Sequence, residues 1–116
     1  MGLRQWVFCI MGSLFLTGCR TGSVTMPEKY LLFDVRTREE YEVGHLSGAV
    51  LIPYDTIRER IPVVAPDKST RVYLYCHSGG RASMAQETMQ EMGYNDVVNL
   101  GGISSASRKT QLQIIR

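Results

Sequence analysis

The chain has 116 residues, 44% hydrophobic and 21% charged, a balance that fits one small globular domain and excludes a disordered or fibrous chain. Its formal net charge of +2 comes with no Lys/Arg cluster and no face of interleaved basic and aromatic residues, so no nucleic-acid partner is expected.

At the start, "MGLRQ" carries one positive charge and "WVFCIMGSLFL" is a continuous apolar run. A run of about eleven residues falls short of the roughly twenty that span a bilayer as a helix. "LTGC", Leu16 to Cys19, then places small residues directly before a cysteine, completing the layout of an export signal. It resembles the lipobox of bacterial lipoproteins. That resemblance implies a signal peptide over 1–18, cleavage before Cys19, lipidation of the Cys19 sulfur, and an exported periplasmic protein tethered to a bacterial membrane. The plainer alternatives are an ordinary signal cut nearby or an uncleaved anchor. With Cys9 removed and Cys19 lipidated, Cys76 is the thiol left to the mature domain. An odd cysteine in an oxidising compartment is flagged as reactive. A Cys19–Cys76 disulfide and a simple buried thiol are its alternatives.

Residues 19–29 read as the lipidated cysteine and a polar tether, and 30–116 as the domain. "YLLFDV" (30–35) is a short apolar run that predicts a buried strand. Thr37 and Glu40 stand at capping-box spacing and start a short helix, "REEYEV", which Gly44 stops. "GAVLIP" (48–53) is a second strand. Thr56 and Glu59 repeat the capping-box spacing over "IRERI", and "PVVAPDKST" is a proline-punctuated connection. "RVYLYC" (71–76) is a third strand. "RASMAQETMQEMGY" predicts a helix with Ala82, Ala85, Met89 and Met92 as its apolar core stripe, ended by Gly93. "DVVNL" (96–100) is a fourth strand, and the remainder opens with a turn and holds a weak final helix. Strands alternating with helices predict an α/β domain with a parallel sheet of about four strands and helices on both faces. Ligands of such sheets collect beyond the carboxyl ends of the strands. Cys76 falls at that end of the third strand, and Asp34 and Arg36 at that end of the first.

"CHSGGRAS" places a cysteine between a strand and a helix start. The first helical turn leaves backbone N–H groups without partners, and its dipole end is positive. Gly79 and Gly80 let the chain curl so that several amides point inward as an anion-binding nest around His77 and Ser78. A thiolate held there is a competent nucleophile. Arg81 adds a fixed charge and a fork suited to an oxyanion such as thiosulfate. The bland alternative is a strand-end cysteine before an ordinary glycine turn, with Arg81 solvated. No metal is expected, because Cys76, His45 and His77 lack the usual ligand spacing.

"DVRTREEYEVGHLSGAVLIP" followed by "CHSGGRAS" resembles the rhodanese-like domain family, and within it the small exported single-domain type. Asp34, Val35, Arg36, Glu40, Tyr41, Gly44, His45, Gly48, Ala49 and Pro53 carry the first motif, and Cys76, Gly79 and Arg81 the second. The likeness runs over roughly 30–103. Longer members begin with an extra strand and helix, which the short tether cannot supply. The resemblance implies a thiosulfate:cyanide-type sulfurtransferase needing no cofactor. Its partners are thiosulfate or another sulfane-sulfur donor, then cyanide, a small thiol or a protein thiol as acceptor. Cys76 carries the sulfur as a persulfide. Residues 77–81 line the substrate loop largely through their backbones, with Arg81 the foremost anion contact and Arg36 a weaker one. Asp34 and Glu40 are supporting residues, Glu40 capping its helix and pairing Arg36 or a nearby amide. His45 locks its loop through a backbone hydrogen bond, and His77 sits where it can touch substrate.

Two rivals use the same loop. A cysteine phosphatase or arsenate reductase also seats a thiolate in an amide nest, but holds five residues between Cys and Arg, where this chain holds four, His77 to Gly80. A persulfide carrier or partner-docking module would need the loop without rapid turnover.

Overall fold

The chain is described here from a computed structural model over residues 25–116; the signal and the lipidation expected at Cys19 lie outside the described residues. Every residue of β4 (Val72–Cys76) is buried, and it lies between β1 (Leu31–Asp34) and β5 (Val97–Gly102). With β3 (Val50–Leu51) outside β1, these four strands form one parallel sheet in the order β3-β1-β4-β5. Side chains alternate faces along a strand, and β4 divides accordingly. Val72, Leu74 and Cys76 join one core with Phe33, Ile57, Ile61, Ala82, Ala85 and Met89. Tyr73 and Tyr75 join the opposite core with Leu32, Leu46, Leu100 and Ala106. α2 (Ile57–Val64) and α3 (Gly80–Glu91) thus cover the first face, and α4 (Ile103–Thr110) the second.

α1 (Arg38–Val43) forms with its capping box complete: the Glu40 amide donates to Thr37 Oγ1 at 3.2 Å, and the Thr37 amide donates to Glu40 Oε1 at 3.1 Å. The equivalent spacing at Thr56 and Glu59 makes no such box. A 3₁₀ turn over Tyr54–Thr56 already precedes α2, so Thr56 lies inside helical chain and its hydroxyl donates to the Pro53 carbonyl at 2.8 Å. α2 also runs through Pro62 to Val64 instead of ending at Ile61. The proline forfeits one backbone donor on an exposed face. Ile57, Ile61 and Ala65 hold the other face in the core. Two elements have no sequence forecast: β2 (His45–Leu46) and β6 (Ile114–Ile115) pair antiparallel as a two-stranded patch beside α1.

Asp34 and Arg36 are fully or nearly fully buried, at 0% and 5% exposure. Arg36 Nε donates to both Asp34 carboxylate oxygens, at 2.9 and 3.0 Å, and Nη2 donates to Oδ2 at 2.6 Å. Nη2 also donates to the Gly44 carbonyl at 2.6 Å, tying β1 to the end of α1. Removing one partner of a buried pair strands the other charge. Asp34→Ala should therefore lower unfolding stability by about 3–5 kcal/mol in denaturant titration, and a loss near zero would contradict the pair's role.

Candidate active site

β4 delivers Cys76 at its carboxyl end, on the face shared with α2 and α3, as a free thiol. The chain then turns over the sulfur. Gly79 adopts φ 101° and ψ −18°, a left-handed conformation that a side chain resists, and its amide donates to Cys76 Sγ at 2.8 Å. α3 starts at Gly80 and its first backbone bond is from the Ser83 amide to the Gly79 carbonyl, at 3.0 Å. The amides of Gly80, Arg81 and Ala82 therefore have no acceptor within the helix. Of the several inward amides expected, Gly79's is the one that reaches the sulfur. Cys76 itself is 1% exposed: the thiol lies beneath the loop and does not stand open in a crevice. His77, Ser78 and Gly80 form the exposed cover.

What holds the loop down comes from β5. The β4–β5 register runs Leu74 with Asn99, then Cys76 with Gly102, so β5 carries one extra residue in a bulge. Gly101 takes φ 92° there. The Asn99 side chain bridges both segments, Nδ2 donating to the Gly79 carbonyl at 3.2 Å while Oδ1 accepts from the Gly101 amide at 2.8 Å. A methyl group on Gly102 would overlap the His77 carbonyl and press on Ser78 Cα. Gly102 has extended φ and ψ that any residue adopts, so proximity alone demands glycine. "NLGG" was visible in the sequence as strand followed by turn; the strand in fact continues through both glycines.

Arg81 leaves the first turn of α3 and meets Glu40 of α1 in a two-pronged pair, Nη1 to Oε1 at 2.8 Å and Nη2 to Oε2 at 2.9 Å. Glu40 thus pairs Arg81, not Arg36, because Asp34 and the Gly44 carbonyl already engage Arg36. The Arg81 hydrogen bond is the largest influence on the Glu40 carboxyl and, with Thr37 assisting, lowers it from 4.5 to about 2. His45 donates from Nδ1 to the Tyr41 carbonyl at 2.8 Å, and its ring stacks on Tyr41 at 3.7 Å between centroids. The Tyr41 hydroxyl donates to the Ala49 carbonyl at 2.8 Å. Leu46 donates its amide to the Tyr75 hydroxyl at 2.9 Å, and burial pushes that phenol well above its ordinary range. Asp34, Glu40 and His45 thus brace the site's border, while Arg81, His77 and Ser78 flank the sulfur.

Beside the loop, between α1, the start of α4 and β6, lies a shallow, open cavity of about 550 Å³ on which Val43 and Ile114 stand exposed. Val43, Ile103 and Ile114 give it apolar walls, and His77 and Glu40 join it to the loop. Among the described residues no three of His, Cys, Asp and Glu gather to hold a metal ion, and no helix is long and apolar enough to cross a membrane.

Gly102→Ala should displace the loop: stability falls by about 2 kcal/mol, the range for overpacking, and Cys76 reacts faster with a thiol reagent. Unchanged stability and labelling would refute the close approach. For Glu40, a carboxyl lowered in the folded state contributes stability that is full above 4.5 and lost as pH falls through about 2. The thermal-midpoint gap between the parent and Glu40→Gln, worth about 1 kcal/mol for a cap and a pair about one-third exposed, should hold from about pH 7 to 5. It should shrink between 4.5 and about 2; a gap constant down to pH 2 would contradict the Arg81 pairing.

Comparison with known proteins agrees with this fold. A family model described as Rhodanese-like domain matches residues 23–109. Thiosulfate sulfurtransferase PspE of Escherichia coli is 43% identical over 70 residues, 60% of this chain and 67% of that protein. tRNA uridine(34) hydroxylase of Sodalis glossinidius is 38% identical over 88 residues, 72% of this chain but 25% of that protein. Among solved structures, a rhodanese with anions from E. coli superposes with a TM-score of 0.69 and 34% identity, over 75% of this chain and 98% of that one. A thiosulfate sulfurtransferase from Pseudomonas aeruginosa gives a TM-score of 0.70 at 27% identity, over 76% of this chain and 17% of that one. With a matching family model over most of its length and a sheet of the same build, the chain belongs to the rhodanese-like domain family.

Proposed function

We propose that this protein is a thiosulfate sulfurtransferase that carries sulfane sulfur on Cys76. The observation that supports it most is the 2.8 Å hydrogen bond from the Gly79 amide to Cys76 Sγ at a helix start. The same amide that favours the thiolate favours the persulfide anion that replaces it. In the first half-reaction the thiolate attacks the outer sulfur of thiosulfate. A new S–S bond forms at Sγ, the bond inside thiosulfate breaks, and sulfite leaves with its electron pair. In the second, cyanide or a thiolate attacks the outer sulfur, the Cys76 S–S bond breaks, and its electron pair restores the thiolate. A covalent intermediate of this kind predicts ping-pong kinetics.

Arg81 is the proposed contact for the anionic donor. Glu40 occupies both terminal nitrogens, so donor oxygens meet Arg81 at Nε or compete with the carboxylate. Arg36 is not a direct contact in this reading, being buried against Asp34. Four residues between Cys76 and Arg81 make a small ring that suits a sulfur atom better than a tetrahedral phosphate. The 1% exposure of Cys76 favours one second reading, a persulfide carrier that releases its sulfur to a single protein thiol. Leu16–Cys19 supports export with lipid anchoring at Cys19.

Mass spectrometry after incubation with thiosulfate should show one added sulfur atom on the parent and none on Cys76→Ser. Thiocyanate formation should fall at least about a thousandfold in that variant, the scale of losing a covalent nucleophile. Equal thiocyanate from both would remove Cys76 from the reaction. Sulfur that loads but passes only to a protein thiol would select the carrier.

A further inference from the structure

The cavity beside the loop is built unlike an anion site. Its walls are the apolar side chains of Val43, Ile103 and Ile114. Both cations nearest it are spoken for: Arg36 is held by Asp34 and the Gly44 carbonyl, Arg81 by Glu40. Glu39 lies on its rim and makes no ion pair among the described residues. The net charge facing the cavity is therefore negative, and an anionic ligand is repelled from it. Its volume of about 550 Å³ falls within the usual range for small-molecule sites. It shares His77 with the loop that covers Cys76, so it opens beside that loop. Ile114, on β6, lies beyond the 23–109 span of the family match, and its Cγ2 packs against Gly44 to close the far wall.

We infer that this cavity seats the body of the sulfur acceptor, and that the acceptor is an uncharged alkyl thiol. Val43 and Ile114 set the preference. The inference rests on the sulfurtransferase reading of Cys76 and names its second substrate. The alkyl chain lies along Val43, Ile103 and Ile114 with its thiol toward His77 and the loop. The thiol's proton passes through solvent to the persulfide anion, and the resulting thiolate attacks its outer sulfur. The acceptor's S–S bond forms as the Cys76 S–S bond breaks. The acceptor departs as an alkyl hydropersulfide, and Cys76 is left as the thiolate. No oxidant or reductant is required.

The experiment loads the protein with thiosulfate, removes the excess, and follows loss of the added sulfur atom by mass spectrometry under three acceptors. These are 1-butanethiol, 3-mercaptopropionate of similar length but negative charge, and cyanide, too small to use the walls. At equal thiolate concentration, butanethiol should discharge the sulfur about tenfold faster than mercaptopropionate, the scale of an apolar-pocket discrimination. Ile114→Asp and Val43→Asp, on separate elements, should each lower the butanethiol-to-cyanide rate ratio about fivefold or more. Val63→Asp, an exposed change on α2 outside the cavity, should leave the ratio alone. Discharge by cyanide with no preference between the two thiols, or cavity variants with an unchanged ratio, would overturn the acceptor site while leaving sulfur transfer intact. Failure to load sulfur at all would overturn the sulfurtransferase reading instead.

Discussion

The contact on which the site depends joins backbone to backbone: Gly102 at the end of β5 lies directly against the His77 carbonyl and Ser78. A parallel sheet brings the carboxyl ends of β4 and β5 to one edge, so the segments leaving them compete for the same space. The bulge advances β5 by one residue, and Gly102, lacking a side chain, lets the two chains touch. Asn99 then secures both, holding the Gly79 carbonyl on one side and the Gly101 amide on the other. Gly79, its carbonyl held and its φ at 101°, presents its amide to Sγ at 2.8 Å. The hydrogen bond to the Cys76 sulfur is thus secured by β5, a strand that contributes none of the proposed reacting groups. His77 and Ser78 cover the sulfur without their side chains entering this linkage, which leaves them free to vary with substrate.

The two ion pairs at the border divide the electrostatic work by depth. Asp34 and Arg36 are buried, so their charges cancel at close range and serve to fasten β1 to the end of α1. Glu40 and Arg81 are about one-third exposed, at 33% and 29% for their side chains, so water and salt compete with their attraction. The first pair behaves as architecture. The second is the one an incoming anion can rearrange, and it joins α1 to the helix that carries the loop.

Most of the sheet was legible because its strands are apolar runs bounded by turn residues, and α1 because Thr37 and Glu40 stand at a spacing that the backbone itself reads. The same spacing misled at Thr56. A local signal cannot report that Tyr54–Thr56 has already wound into a helix. Pro62 misled in the opposite sense: an exposed helix face tolerates one missing donor when Ile57 and Ile61 anchor the other. β2 and β6 are two residues each and pair across nearly seventy positions, which no periodicity reveals. At the site, the cysteine, glycines and arginine were readable from their order. Their partners were not, because Glu40 with Arg81 and Asn99 with Gly79 meet only after the sheet is assembled. The burial of Cys76 belongs to the same class, since the loop that covers it is held down by β5.

A covered sulfur beside an apolar cavity separates two demands that a single open cleft would confuse. The proposed donor is an anion, and what suits it is the amide and guanidinium side of the loop, where N–H groups of the α3 start remain unpartnered within the helix. In the proposed reaction the acceptor arrives second and attacks an outer sulfur that lies one bond farther out than Sγ. Attack at that distance needs no exposure of Cys76 itself. It needs a surface that positions a thiol against the loop, and the walls carrying Val43, Ile103 and Ile114 form one. Covering the nucleophile and flanking it with apolar surface are, on this view, two parts of one device that lets sulfur be accepted from one chemical class and surrendered to another.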